Sequence, residues 1–259
     1  MLETDTAPLR AELLEDGRIL RLVLDAGKGN VIDAALVARM RDTIASAAES
    51  TALCALIIDH AGPHFSFGAS VAEHTPDKVG DMLPGLHGLA RELIALDVPI
   101  LIAARGMVLG GGLEVLLLGD LVFAAPGAKF GQPEIQLGVF APLGSALLPV
   151  RIGEQAAADL LLSGRSIDAT EACELGLVRA LDDDPGAACL AWATKHLAPK
   201  SASSLRLATR ALRARTRPRF NEVLDELEDL YLQDLMETHD AVEGIQAFLE
   251  KRPAKWEDR

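Results

Sequence analysis

The chain predicts an α/β architecture, a core of alternating strands and helices followed by a helical C-terminal region. Short apolar runs at 19–24, 53–59, 98–104 and 121–125 read as strands, with helical apolar spacing between the earlier ones. Beyond residue 140 helical spacing takes over. A glycine triplet, Gly110 to Gly112, marks a sharp strand-to-helix turn in the middle of the core. The core is expected over 1–195 and the helical region over 196–259.

The elements follow in order. ILRLVL at 19–24 is a strand, and DAGKGNVI after it a loop. Asp33 can cap a helix whose apolar face holds Leu36, Val37, Met40 and Ile44. LCALIID at 53–59 is a strand, and GPHFSFGA at 62–69 a loop. Leu86, Leu89, Leu93 and Leu96 have helical spacing. Strands are expected at 98–104 and 121–125, with a helix opening at Leu113 between them. Helices then follow at 154–162, 169–175 (ended by Gly176), 187–197, 203–214, 219–237 and 240–249. No internal repeat or long linker interrupts them, and DDDPG at 182–186 reads as a loop.

Composition bounds the function. With 259 residues, 49% of them hydrophobic, the chain can build one large core with a helical annex. A formal net charge of −13 argues against nucleic acid or an anionic membrane as the main partner. It leaves room for an anionic cofactor held by a few local basic residues. Cys54, Cys173 and Cys189 lie far apart with no CxxC, which argues against a disulfide framework and a structural zinc site. The acidic N-terminus lacks an apolar signal core, and Arg105, Gly119 and Asp120 interrupt the apolar segments. A cytoplasmic protein is expected.

The chemistry concentrates at 99–134, PILIAARGMVLGGGLEVLLLGDLVFAAPGAKFGQPE. Glycines let a ligand approach the backbone closely. If a helix opens at Leu113, the amides around Gly111 lie at its positive end. Two amides aimed at one oxygen would stabilise an enolate. A tight turn without a ligand is the plain alternative. Glu114 lies in an apolar helix, LEVLLLG, where an acid is a satisfied buried group, a cap or a functional one. Glu134 follows Pro133, and its plain alternative is a surface turn or first-turn helix acid. A water between two such carboxylates can lose a proton to one while the other supplies a proton to carbon. That division of labour suits addition of water to a conjugated acyl group.

Competing motifs fail. Position 115 is Val, so Gly110 and Gly112 do not extend to GxGxxG, and there is no GK[ST]. Ser66 is preceded at position 64 by His, which breaks GxSxG. There is no HExxH, and His60, His64 and His74 read as surface or loop histidines, with no metal expected. The acids Glu222, Asp225, Glu226, Glu228 and Asp229 read as a solvated helix face, or else an oligomer contact.

These residues resemble the crotonase, or enoyl-CoA hydratase/isomerase, family over nearly the whole chain. The likeness is strongest in RGMVLGGGLEVLLLGDLVFAAPGAKFGQPEIQLGV, then in LLLSGRSIDATEACELGLV and EGIQAFLEKRPAKW. The resemblance implies a spiral of ββα units with a helical C-terminal region serving trimer formation, trimers often pairing into hexamers. It implies that the thioester oxygen of an acyl-CoA sits between the amides of Ala69 and Gly111, and that Glu114 and Glu134 are the two hydratase glutamates. Gly68, Ser70, Val71 and Ala72 match the segment along CoA, and Gly110 lies in the same site. Lys251 matches a basic residue reaching CoA phosphate, often from a neighbouring subunit; a solvated helix-end lysine is the alternative. Coenzyme A belongs to the substrate, and no other cofactor is implied.

Departures matter. The family's GAD is GAS here, with Ser70 for Asp, and its glycine-rich segment after the second glutamate becomes APLGSALLPVRIG. Leu143 and Leu147 are expected to add bulk near the acyl end. FSFGASVAEH, KGNVID and LGVFAPLGSALLP resemble the family members that hydrate a cyclic dienoyl thioester in anaerobic aromatic degradation. That implies a hydro-lyase; the alternatives are a general short-chain enoyl-CoA hydratase, a double-bond isomerase, and a non-catalytic CoA-binding assembly protein.

Overall fold

The computed structural model describes residues 8–214 and 216–259. Its strands are β1 (Leu9–Leu14), β2 (Ile19–Leu24), β3 (Ala55–His60), β4 (Ile100–Ala104), β5 (Met107–Leu109), β6 (Leu121–Ala124), β7 (Lys129–Gly131), β8 (Ser166–Asp168) and β9 (Ala180–Leu181). Its helices are α1 (Ala34–Ala48), α2 (Val79–Ala95), α3 (Gly111–Leu117), α4 (Pro142–Ile152), α5 (Glu154–Ser163), α6 (Ala169–Glu174), α7 (Pro185–His196), α8 (Ala202–Leu212), α9 (Arg217–Asp229) and α10 (His239–Leu249). Among the described residues no helix is long and apolar enough to cross a membrane.

A six-stranded sheet runs β1-β2-β3-β4-β6-β9, and a three-stranded sheet runs β5-β7-β8. β1 and β2 form an antiparallel hairpin; from β2 to β9 the large sheet is parallel. Every residue of β3 is buried, as expected of a parallel strand covered on both faces. Leu56 and Ile58 join α1, α2 and α3 in the larger core. Ala55 and Ile57 point the other way, onto Cys189 and Ala193 of α7.

The chain alternates between the two layers. β4 leads to β5 and then α3, and β6 leads to β7 and then α4. The same step occurs earlier in abbreviated form. Ser66 bridges Val108 of β5 and Ile32 bridges Ala69, so segments after β2 and β3 extend the small sheet before α1 and α2 begin. This is the strand–strand–helix spiral that the resemblance implied. It brings the loops after β2 and β3 and the end of β5 side by side.

Several expectations are met in detail. Asp33 accepts from the Leu36 N–H at 2.8 Å, and α1 buries Leu36, Val37, Met40 and Ile44. Asp168 and Thr238 cap α6 and α10 in the same way. Others need correction. The helix expected over 219–237 ends at Asp229; a π-helical turn, Leu230–Asp234, and a short 3-10 turn, Leu235–Glu237, follow. Two of its acids are not simply solvated. Glu228 meets His87 at 2.5 Å and Asp225 meets Arg91 at 2.5 Å, which ties α9 to α2. Arg213, between α8 and α9, is buried and donates to the Leu96 carbonyl and the Asp120 carboxylate, both at 2.6 Å.

Candidate active site

The end of β5 sets the site. Gly110 has φ +49°, and a Cβ there would stand 2.7 Å from Glu134 Oε1. The positive φ favours glycine there, and the missing Cβ leaves the Glu134 carboxyl its room. A Cβ on Gly111 would stand 2.9 Å from the Ala69 nitrogen, so the start of α3 packs directly on the Ala69 backbone.

That contact brings two N–H groups to one place. The Ile32 N–H donates to the Gly68 carbonyl at 2.9 Å, and the Ser70 N–H donates to the Ile32 carbonyl at 3.0 Å. Strand alternation turns the intervening Ala69 N–H the other way. Gly111 is the first residue of α3, where an N–H has no intrahelical acceptor. Among the described residues neither group donates to a protein acceptor, and both residues line one pocket.

Glu114 and Glu134 line the same pocket. Glu114 projects from α3 with 5% exposure, and its Oε1 accepts from the Gly144 N–H at 2.9 Å. Glu134 lies in the first turn of a short 3-10 helix, Pro133–Leu137, directly after β7. The buried Gln132 amide nitrogen, oriented by the acceptors around it, donates to both Glu134 oxygens at 3.1 Å and to the Gly110 carbonyl at 3.2 Å.

Both carboxyls titrate well above the ordinary carboxylate range. Burial is the main cause for Glu114, and the Gly144 and Leu143 amides offset it in part. Burial is again the main cause for Glu134, with repulsion from Glu114 second. Around neutral pH the pair therefore holds a proton to exchange. The walls are apolar: Val71, Met82, Leu83, Leu86, Phe140 and Ile245.

The structure sorts the remaining expectations. Gly68 and Val71 line the pocket; Ser70 and Ala72 do not. Leu143 and Leu147 do not line it either, because on α4 they face the apolar core while Pro142 faces the pocket. Lys251 is exposed just beyond α10, apart from this chain's pocket. The histidines are structural in part. His60 is buried in β3 and accepts from the Arg105 N–H at 3.1 Å, so it is neither a surface nor a loop residue. His64 accepts from the Met107 N–H at 3.1 Å. His74 lines the pocket with Nδ1 on the Ser70 carbonyl at 2.8 Å, and burial lowers its pKa.

Tyr231 and Gln132 are pocket or pocket-adjacent residues that sequence reasoning missed. Gln132 sits within GQPE beside Glu134, and Tyr231 is the chain's sole tyrosine. Neither fact alone marks a function.

A two-layer spiral thus brings paired backbone donors and two enclosed carboxylates to one apolar pocket. Residues 16–259 match the family described as enoyl-CoA hydratase/isomerase, and the chain belongs to that family. A cyclohexa-1,5-dienecarbonyl-CoA hydratase from Thauera aromatica is 56% identical over 254 residues, covering 98% of this chain and 98% of that protein. A carnitinyl-CoA dehydratase from Proteus mirabilis (strain HI4320) is 30% identical over 256 residues, 94% of this chain and 96% of that one. The crystal structure of an enoyl-CoA hydratase/isomerase from Pseudoalteromonas atlantica T6c matches with a TM-score of 0.82 at 25% identity, covering 96% of this chain and 99% of that one.

Proposed function

We propose that the protein is a hydro-lyase that adds water to cyclohexa-1,5-diene-1-carbonyl-CoA, giving 6-hydroxycyclohex-1-ene-1-carbonyl-CoA. The observation that carries the hydration is the pair Glu114 and Glu134, enclosed in one pocket beside two backbone N–H groups that meet no acceptor among the described residues. The choice of substrate is supported by the 56% identity with the Thauera aromatica hydratase.

The Ala69 and Gly111 N–H groups hold the thioester oxygen, which makes ring carbon C2 electrophilic. One carboxylate takes a proton from water as the oxygen bonds to C2. The C1=C2 electrons move onto the thioester, forming an enolate conjugated with C5=C6. The other carboxyl gives its proton to C5, and the double bond re-forms between C1 and C6. Renumbered, this is the 6-hydroxy-1-ene product; one water is consumed and the two glutamates exchange protonation states. The apolar walls keep other water from the enolate.

The same reading includes the CoA contacts and the assembly. The 68–72 segment runs along CoA, and Lys251 reaches its phosphate from a neighbouring subunit. The protein is a cytoplasmic homo-oligomer, a trimer or a pair of trimers. Exposed Leu207, Leu212, Phe248 and Trp256 in the C-terminal region support such burial between copies.

The test is turnover of the cyclic dienoyl-CoA, and separately of crotonyl-CoA, in ¹⁸O-water with products read by mass spectrometry. One ¹⁸O in the cyclic product is expected. Conversion without label would make the protein an isomerase, and no conversion of the diene would remove the proposed substrate.

A further inference from the structure

Tyr231 is a buried residue, 1% exposed, whose hydroxyl meets no donor or acceptor among the described residues. Its ring packs edge-on against Phe140 with centroids 5.3 Å apart, and it lines the pocket that holds Glu114 and Glu134. A buried phenol without a partner is costly and needs an account.

The backbone there is unusual. α9 buries Phe220 and Leu224 in the large core, then widens into the π-helical turn that carries Tyr231. Tyr231 packs instead with Met82, Leu83, Val139 and Ile245, beneath the pocket. Wide turns of this kind re-aim a side chain, and they recur at functional sites. The Glu228–His87 contact fixes α9 three residues before the tyrosine.

A hydrocarbon ring presents no acceptor to this hydroxyl, and the thioester oxygen already has the Ala69 and Gly111 donors. The oxygen of the water, which becomes the product's hydroxyl, is the acceptor the reaction introduces. We propose that the Tyr231 hydroxyl donates a hydrogen bond to that oxygen, orienting the incoming water and selecting the hydroxylated ring. Burial, and the nearby charges of Glu134 and Glu114, push its pKa up, so it stays a neutral donor. The inference rests on the hydration proposed above.

Tyr231→Phe keeps the ring and its packing while deleting only the hydroxyl. Kinetics are measured in both directions, with dienoyl-CoA and with hydroxycyclohexenoyl-CoA. The variant should melt with the parent and keep its KM for the diene. Its kcat for hydration should fall about tenfold, and its KM for the hydroxylated thioester should rise about tenfold. Unchanged kinetics, or equal changes in both KM values, would overturn the assignment and leave Tyr231 a packing residue. A parent protein that fails to hydrate the diene would instead overturn the reaction itself, and this assignment with it.

Discussion

Glu114 caps a helix that follows the other carboxylate in sequence: its Oε1 accepts from the Gly144 N–H, 2.9 Å away in the first turn of α4. Ala141, the residue before that helix, supplies no side-chain cap. A candidate catalytic acid thus satisfies an orphan donor that a local Ser or Asp would ordinarily serve. The bond fixes the carboxyl's direction, and burial keeps it enclosed.

Glu114→Gln and Glu134→Gln should each lower kcat by about 10²- to 10⁴-fold, because each removes one proton transfer. Binding of a CoA thioester, followed by calorimetry, should stay close to that of the parent. Near-normal turnover in both variants would defeat the two-carboxylate mechanism.

The rate should peak where the pair carries one proton. At lower pH both carboxyls are protonated and no base remains; at higher pH both are ionised and no acid remains. Since burial raises both, and Glu114 further raises Glu134, both limbs of the kcat profile should lie above the ordinary carboxylate range. A rising limb near pH 4, in a profile measured from pH 4 to 10, would contradict this.

Stability should show the opposite face of the same burial. A carboxyl whose native pKa is raised favours folding least when ionised, so stability falls as pH climbs from the unfolded value through the native one. Glu114→Gln removes that penalty and keeps an acceptor for Gly144. It should be about 1–3 kcal/mol more stable than the parent at pH 9, by denaturant titration, with the gain fading as pH drops toward 4.

Gly111→Ala tests the paired donors by steric means alone. The new Cβ would meet the Ala69 nitrogen at 2.9 Å, forcing the two backbones apart. A loss of about 10²- to 10³-fold in kcat is expected, with Glu114 and Glu134 retained. Full activity with an unshifted backbone would show that the N–H pair does not hold the oxyanion.

Local signals were readable where one segment contained them entirely. Asp33 and the stripe Leu36, Val37, Met40 and Ile44 specify both ends of an argument for α1 within a dozen residues. The glycine triplet likewise announces the turn into α3. β1 carries no such local signal, because LRAELL is largely exposed and lacks a continuous apolar run. α4 was hidden by Pro142 and Pro149, of which the first suits a helix start and the second interrupts the pattern. The facing of Leu143 toward the core depended on that helix. Tyr231 depended on something more distant, a π-helical turn after α9 that packs it with Met82, Leu83, Val139 and Ile245.

The groups proposed to react come from the start of α3, the turns at strand ends and the π-helical turn of Tyr231, whereas Met82, Leu83, Leu86 and Ile245 come from α2 and α10, which lean over them. Recognition of the acyl skeleton and the handling of protons are thereby assigned to separable stretches of chain. Substitutions in the leaning helices can retune the ring size admitted while the bond-making geometry stays untouched, which makes those helices the place to begin redesign toward other carbocycles.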